Sequence, residues 1–235
     1  MYFFKLLFKY RTFHKKFKLF LINNLFKFIK MKSLKNFINN INEVKIKLGS
    51  SSYFYDPKNK KELINIIKKL IKDQPDASII NLNIINVSNI EDMSDLFLRL
   101  PDDKQYNMSK WNVSNVKYMD NMFSNFENFN SDISEWDVSN VISMSGMFLG
   151  CKKFNSDISR WNVSNVEDMS QMFAETKSLE CSLKSWDVSK CENFNYMFYN
   201  SEYCKDLSNW KIKPDANIKH MFTNCKIYNA YKPKQ

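Results

Sequence analysis

Five tryptophans set the terms for what this chain can fold into. They stand at Trp111, Trp136, Trp161, Trp186 and Trp210, at intervals of 25, 25, 25 and 24 residues. The residues around them keep register. Trp-x-Val-Ser-x-Val occupies 111–116, 136–141 and 161–166, Trp186-Asp-Val-Ser-Lys-Cys191 departs only at its last position, and Ile85-Asn-Val-Ser-Asn-Ile90 is an upstream copy without the indole. Eight residues after each Trp comes an apolar position, filled by Met119, Met144, Met169, Phe194 and Ile218. Three residues later comes a Met-Phe pair: Met122-Phe123, Met147-Phe148, Met172-Phe173, Met197-Phe198 and Met221-Phe222, with Leu96-Phe97 following Met93 in the first copy. Nine of the twelve methionines fall at these two positions, so the period is a property of the order of residues and not of their abundance. A fixed period of this length is the mark of a repeat architecture.

Each unit has two halves. Val141, Met144, Met147 and Phe148 sit at offsets 0, 3, 6 and 7, which places them within an arc of about 120° on a helix turning 100° per residue. Ser139, with Ser88, Ser114, Ser164 and Ser189 at the same place, precedes the run and suits a helix N-cap. A short helix or helical turn is therefore expected after each serine. In the other half, Phe129, Ser131 and Ile133 alternate with polar residues, and 154–158 repeats the pattern. Period two predicts a strand with one buried face. Leu179, Leu183 and Leu207 continue its apolar positions. One unit cannot bury its own Met, Phe and Trp. Stacking the units gives each strand a parallel neighbour and lines the apolar residues into ladders, which is a solenoid of α/β type.

The string Phe-Asn-Ser-Asp-Ile-Ser-x-Trp-(Asp/Asn)-Val-Ser-Asn-Val-x-x-Met-x-x-Met-Phe, at 129–148 and 154–173, resembles the BspA-like leucine-rich-repeat surface proteins. The likeness covers about 85–225 and extends weakly to Pro57-Lys-Asn-Lys-Lys-Glu-Leu-Ile64. It implies a leucine-rich-repeat solenoid, often at a bacterial cell surface, with adhesion or host-protein binding in some members. It brings no catalytic residue. The array is short, about six units, and its last unit, Trp210-Lys-Ile-Lys-Pro-Asp215, lacks the Ser-Asn signature, as befits a C-terminal cap.

Three segments follow from this: a basic arm at 1–48, a helical cap at 49–84 and the repeats at 85–235. The arm holds eleven Lys and one Arg against Glu43, while 49–235 is close to neutral with 23 basic and 24 acidic residues. A neutral body gives no electrostatic reason to bind nucleic acid. Within 58–73, Leu63, Ile64, Ile66, Ile67, Leu70 and Ile71 form an apolar stripe bounded by Pro57 and Pro75, an amphipathic helix expected to cover the first repeat. In residues 1–32, lysines interrupt every apolar run, so neither a membrane-spanning helix nor a signal-peptide core is recognised. Two readings stand for this stretch. Either translation starts at Met31, or the arm makes peripheral contact with an anionic membrane surface.

Chemistry-bearing patterns are sparse. Gly49, Gly146 and Gly150 are the only glycines, which excludes a Gly-rich phosphate loop, and His14 and His220 are the only histidines. Cys151, Cys181, Cys191, Cys204 and Cys225 fit neither a disulfide framework nor a zinc spacing and read as buried free thiols. Asp132, Asp157 and Asp206 recur at one position, but Ser182 interrupts them and a hard cation needs several converging oxygens, so a solvated polar face is expected. The Asn115, Asn140 and Asn165 series reads as structural. The tryptophans form either an exposed aromatic stripe or, as their regular spacing favours, a buried ladder. No catalytic group, metal or cofactor is expected. The leading expectation is a protein-binding or adhesion scaffold whose partner is a protein, with variable positions at Lys117-Tyr118, Ile142-Ser143, Glu167-Asp168 and Glu192-Asn193. The competing one is a structural component of an intracellular or virion assembly.

Overall fold

The computed structural model describes residues 53–234. The basic arm 1–48, with Met31 and the membrane-contact reading of 1–32, lies outside the described residues. The first element is helix α1 (Lys60–Asp73). Asn59 caps it, its side-chain oxygen accepting from the Glu62 amide at 2.9 Å, while the Glu62 carboxylate accepts from the Lys58 amide at 2.9 Å. These two reciprocal bonds satisfy donors that a helix start leaves open. Leu63, Ile67 and Leu70, spaced one helical turn apart, are buried against the repeats.

Beyond α1 the chain is a stack. Parallel bridges join Asp92 to Tyr118, Tyr118 to Ser143, Ser143 to Asp168, Asp168 to Asn193 and Asn193 to Asn217, one contact per period. Each bridging residue immediately precedes the first apolar position, so Met93, Met119, Met144, Met169, Phe194 and Ile218 come into one column.

The short helices expected after the capping serines are runs of turns instead. Two residues in each run, two and six beyond the first apolar position, take left-handed φ: Asn121 (52°) and Asn125 (59°), Gly146 (61°) and Gly150 (71°), Gln171 (57°) and Glu175 (60°). A right-handed helix needs φ near −63° throughout. The consequence is an alternation of amides. Met147 and Leu149 bond back three residues, to Met144 and Gly146, at 3.1 Å each. Met144, Gly146, Phe148 and Gly150 instead reach forward to the carbonyls of Asp168, Ser170, Met172 and Ala174, at 2.7 to 3.0 Å. An α-helix would satisfy all of these amides within itself and leave nothing to tie one unit to the next.

The expected strand also differs. At its position only the first two units pair as a sheet, β1 (Ile79–Asn81) with β2 (Gln105–Asn107) in parallel, Ile80 opposite Tyr106. In later units side chains replace the ladder. Asn130 Oδ1 accepts from the Asn155 amide and Asn155 Oδ1 from the Glu180 amide, both at 2.9 Å, and the Ser131 hydroxyl donates to the Tyr106 carbonyl.

The core is continuous from α1 to the last unit. The repeat positions named above, from Trp111 to Met221, are buried except Ile218, which like Phe222 in the last unit is partly exposed. Phe97, Phe123, Phe148, Phe173, Phe198 and Phe222 form a column with neighbouring rings 5.0 to 5.8 Å apart. The tryptophans are 2–4% exposed, and each indole N–H is satisfied by a carbonyl of the unit before: Leu82, Met108, Ile133, Ile158 and Leu183, at 2.8 to 3.2 Å. A large apolar ring with one polar atom is thus buried without an orphaned donor. After the last unit the chain turns through a 3-10 turn (Asn229–Tyr231) and returns the Tyr231 carbonyl to the Leu207 amide at 2.8 Å.

Candidate binding surfaces

The polar residues of the repeat divide into those that hold turns and those that face outward. At three positions of the repeat, an Asp or Asn where present accepts through its side-chain oxygen from the amide two residues on. The first follows the tryptophan: Asp137 accepts from Ser139 at 3.1 Å and Asn162 from Ser164 at 3.2 Å. The second is the recurrent aspartate, Asp132 with Ser134, Asp157 with Ser159 and Asp206 with Ser208, at 2.8 to 3.1 Å. The third lies at the bridge, where Asp92, Asp168 and Asn193 serve Ser94, Ser170 and Asn195, at 2.7 to 3.1 Å. These are Asx turns, in which a side chain stands in for a backbone carbonyl.

The serines are therefore not N-caps. Ser88 and Ser164 donate their hydroxyls to Asn86 and Asn162, at 2.8 Å each, rather than accepting from a helix. Nor do the aspartates gather into a cation site. Among the described residues no three His, Cys, Asp or Glu side chains are placed to hold a metal ion. The Ser159 hydroxyl lowers the Asp157 carboxyl, and Lys184, at 2.5 Å, holds that of Asp206 at about 2.

The asparagines at 115, 140 and 165 form a second ladder. Each donates its amide to a serine carbonyl one unit back, Ser88, Ser114 and Ser139, at 2.7 Å in every case. Beside this ladder runs an open groove of about 750 Å³ that Lys117, Ile142, Glu167 and Lys190 also line.

The variable pairs singled out in the sequence come together here. Tyr118, Ser143, Asp168 and Asn193 form the bridge column, and Lys117, Ile142, Glu167 and Glu192 the column beside it. The strip is chemically uneven along its length. Lys117 pairs with Glu91 at 2.8 Å, Tyr118 is 43% exposed, Ile142 is a single apolar step, and Glu192 pairs with Lys213 at 2.8 Å. The scaffold beneath it is regular, and the strip changes from unit to unit.

The thiols carry no disulfide among the described residues. Cys151 and Cys191 are buried, and burial pushes the Cys191 thiol up to about 12, away from the thiolate that nucleophilic chemistry needs. Cys204 is exposed and Cys181 and Cys225 are half-buried. His220 is exposed on the last unit, stacked on Tyr196 with ring centroids 4.7 Å apart. No helix among the described residues is long and apolar enough to cross a membrane.

A family model described as Mycoplasma protein of unknown function, DUF285, matches residues 66–162 and again 132–232. The two matches overlap, as a model several units long does when laid twice on a periodic chain. No curated protein and no solved structure matches the chain.

Proposed function

Starting from a chain that belongs to the DUF285 family of Mycoplasma proteins of unknown function, we propose that it is a leucine-rich-repeat-type solenoid of the BspA-like kind, serving as a non-enzymatic protein-binding and adhesion scaffold. The observation that carries this reading is the strip from Lys117-Tyr118 to Glu192-Asn193. A backbone register repeated at every unit holds it, yet the pair of side chains it presents, Lys-Tyr, Ile-Ser, Glu-Asp and Glu-Asn, differs at each step. Repeat scaffolds work in this way, because an outward position tolerates change while the ladders behind it hold the fold. In the same reading α1 closes the N-terminal end of the core and the partner is a protein.

The test is binding of the purified chain to singly arrayed host-cell surface proteins, beside a variant carrying Tyr118→Ala and Glu167→Lys. Saturable binding that the variant weakens by about tenfold or more, roughly 1.4 kcal/mol, at an unchanged melting temperature is the expected result. Absence of saturable binding, or binding indifferent to the strip, removes the adhesion reading. Fractionation of the source cells then decides for or against a component of an internal or virion assembly.

A further inference from the structure

The two ends of the stack are unlike. At the last internal interface the amides of Phe194, Tyr196, Phe198 and Asn200 donate to the carbonyls of Asn217, Lys219, Met221 and Thr223, at 2.7 to 3.0 Å. Among the described residues no further unit stacks on the one after that, and the matching amides of Ile218, His220, Phe222 and Asn224 have no acceptor. At the other end the matching groups are carbonyls, and α1 intervenes. Its buried Leu63, Ile67 and Leu70 cover the first unit, and Lys60 Nζ fills the Ser94 carbonyl at 3.1 Å.

The C-terminal tail gives less cover. It pairs with Leu207, on the tryptophan side of the unit, and leaves the Met-Phe side as an open groove of about 510 Å³. Ile218 and Phe222 are partly exposed there, with Lys232 over the Phe222 ring at 5.6 Å. A row of unpaired donors above a partly apolar floor is a template for another chain. Charge selects which chain. Residues 207–235 hold six lysines and one acid, Asp215, whereas 49–206 hold 17 basic and 23 acidic residues. Lys213 and Lys226 pair with Glu192 and Glu202, which leaves at the edge the exposed Lys219 and Lys232, a lining residue of the groove, beside the backbone donors.

We propose that this edge binds an acidic polypeptide segment as an added rung. Alternate carbonyls of that segment accept from Ile218, His220, Phe222 and Asn224, its apolar side chains cover Ile218 and Phe222, and its carboxylates face Lys219. The inference rests on the protein-binding reading above and names a surface and a partner chemistry for it.

The probe is a synthetic peptide copying residues 164–178. Within the chain this segment supplies the carbonyls of Asp168, Ser170, Met172 and Ala174 to the unit before it, and it carries Glu167, Asp168 and Glu175 against Lys177. With the full chain, fluorescence anisotropy reads affinity and amide hydrogen exchange reads the site. Saturable 1:1 binding, exchange slowed about tenfold or more at the four amides, about tenfold weaker binding to Lys219→Glu, and no binding of a scrambled peptide are expected. Four results overturn the proposal: no saturable binding, binding without slowed exchange at those amides, equal binding of the scrambled peptide, or self-association of the peptide-free chain that protects the same amides and so assigns the edge to a second copy. A chain that engages partners through the Tyr118 strip but not this peptide keeps the scaffold reading and loses this inference.

Discussion

Deleting residues 137–161 removes 25 residues and joins Trp136 to Asn162. The stack closes up by one unit. Met119, Asn121, Phe123 and Asn125, which bond Ser143, Ser145, Met147 and Leu149 in the intact chain, meet Asp168, Ser170, Met172 and Ala174 instead. Each interface from Met119 onward holds four forward amide bonds and a return bond such as Glu167 to Ile142, and at about 1 kcal/mol net apiece these amount to roughly 5 kcal/mol. The ordering of 25 residues is lost with them, so the net cost is smaller. At the usual 0.05–0.15 kcal/mol per residue it comes to about 1–4 kcal/mol. Two local adjustments are needed, because Gln171 replaces Gly146 opposite Asn121 and Glu175 replaces Gly150 opposite Asn125, and the two asparagine side-chain oxygens fill the space a Cβ would take there. Deleting 137–149 removes 13 residues, with Met144, Met147 and Phe148 among them. The amides of Met119, Asn121 and Phe123 then find no carbonyls in register, and Phe123 loses the ring stacked on it at 5.7 Å. Denaturant melts followed by circular dichroism separate the cases. The whole-period variant is expected to unfold in one cooperative transition at lower stability, and the half-period variant to aggregate or lose cooperativity. If the half-period variant melts as cooperatively as the other, the account of the interfaces is wrong.

Three further outcomes follow from particular residues. Gly146→Ala puts a side chain at left-handed φ and against Asn121, so it should cost about 1–2 kcal/mol, and Asn121→Ala should recover part of that; equal costs in both backgrounds would disprove the contact. Trp136→Phe removes the indole bond to Met108, whose carbonyl keeps the Trp111 amide, so a loss of about 0.5–1.5 kcal/mol is expected in urea melts, with any packing loss in addition. The Asp206 carboxyl is held near 2 by Lys184, below its ordinary 3.8, so its contribution is present above pH 4 and lost as pH falls toward 2. The melting-temperature gap between the native chain and Asp206→Asn should narrow over that window and shrink in salt, and a gap that widens on acidification would contradict the pairing.

The period, the residues of the ladders and the apolar stripe of α1 were legible in the sequence because burial repeats at fixed spacing. The backbone between them was not. Offsets of 0, 3, 6 and 7 at Val141, Met144, Met147 and Phe148 satisfy a helix, and they equally satisfy a run of turns that places every third or fourth residue inward. The discriminating signal was present in part: Asn121 with Asn125 and Gly146 with Gly150 put residues tolerant of positive φ four apart, and Asn200 and Asn224 repeat the second position. Arg99, Gln171, Glu175 and Tyr196 at the same places obscured it, since nothing in those side chains announces a left-handed backbone. The serine positions misled for a related reason. An Asp or Asn two residues ahead of Ser139 or Ser164 signals an Asx turn, and an N-cap requires a helix that the left-handed residues forbid. The asparagines have structural work at Asn115, Asn130, Asn155 and Asn162. The open edge at Ile218–Asn224 has no sequence signature, because unpaired amides are a property of what is missing next to them.

The bonds between units run along the stack, which determines how the molecule responds to tension. In a chain held at its two ends and pulled along that direction, every interface carries the same force, and within an interface its three or four forward amides share it. An interface therefore yields as a group, and each yielding frees one period of 25 residues, a gain of about 80–90 Å in extended length. Lengthening in steps of that size dissipates load while the remaining units stay stacked.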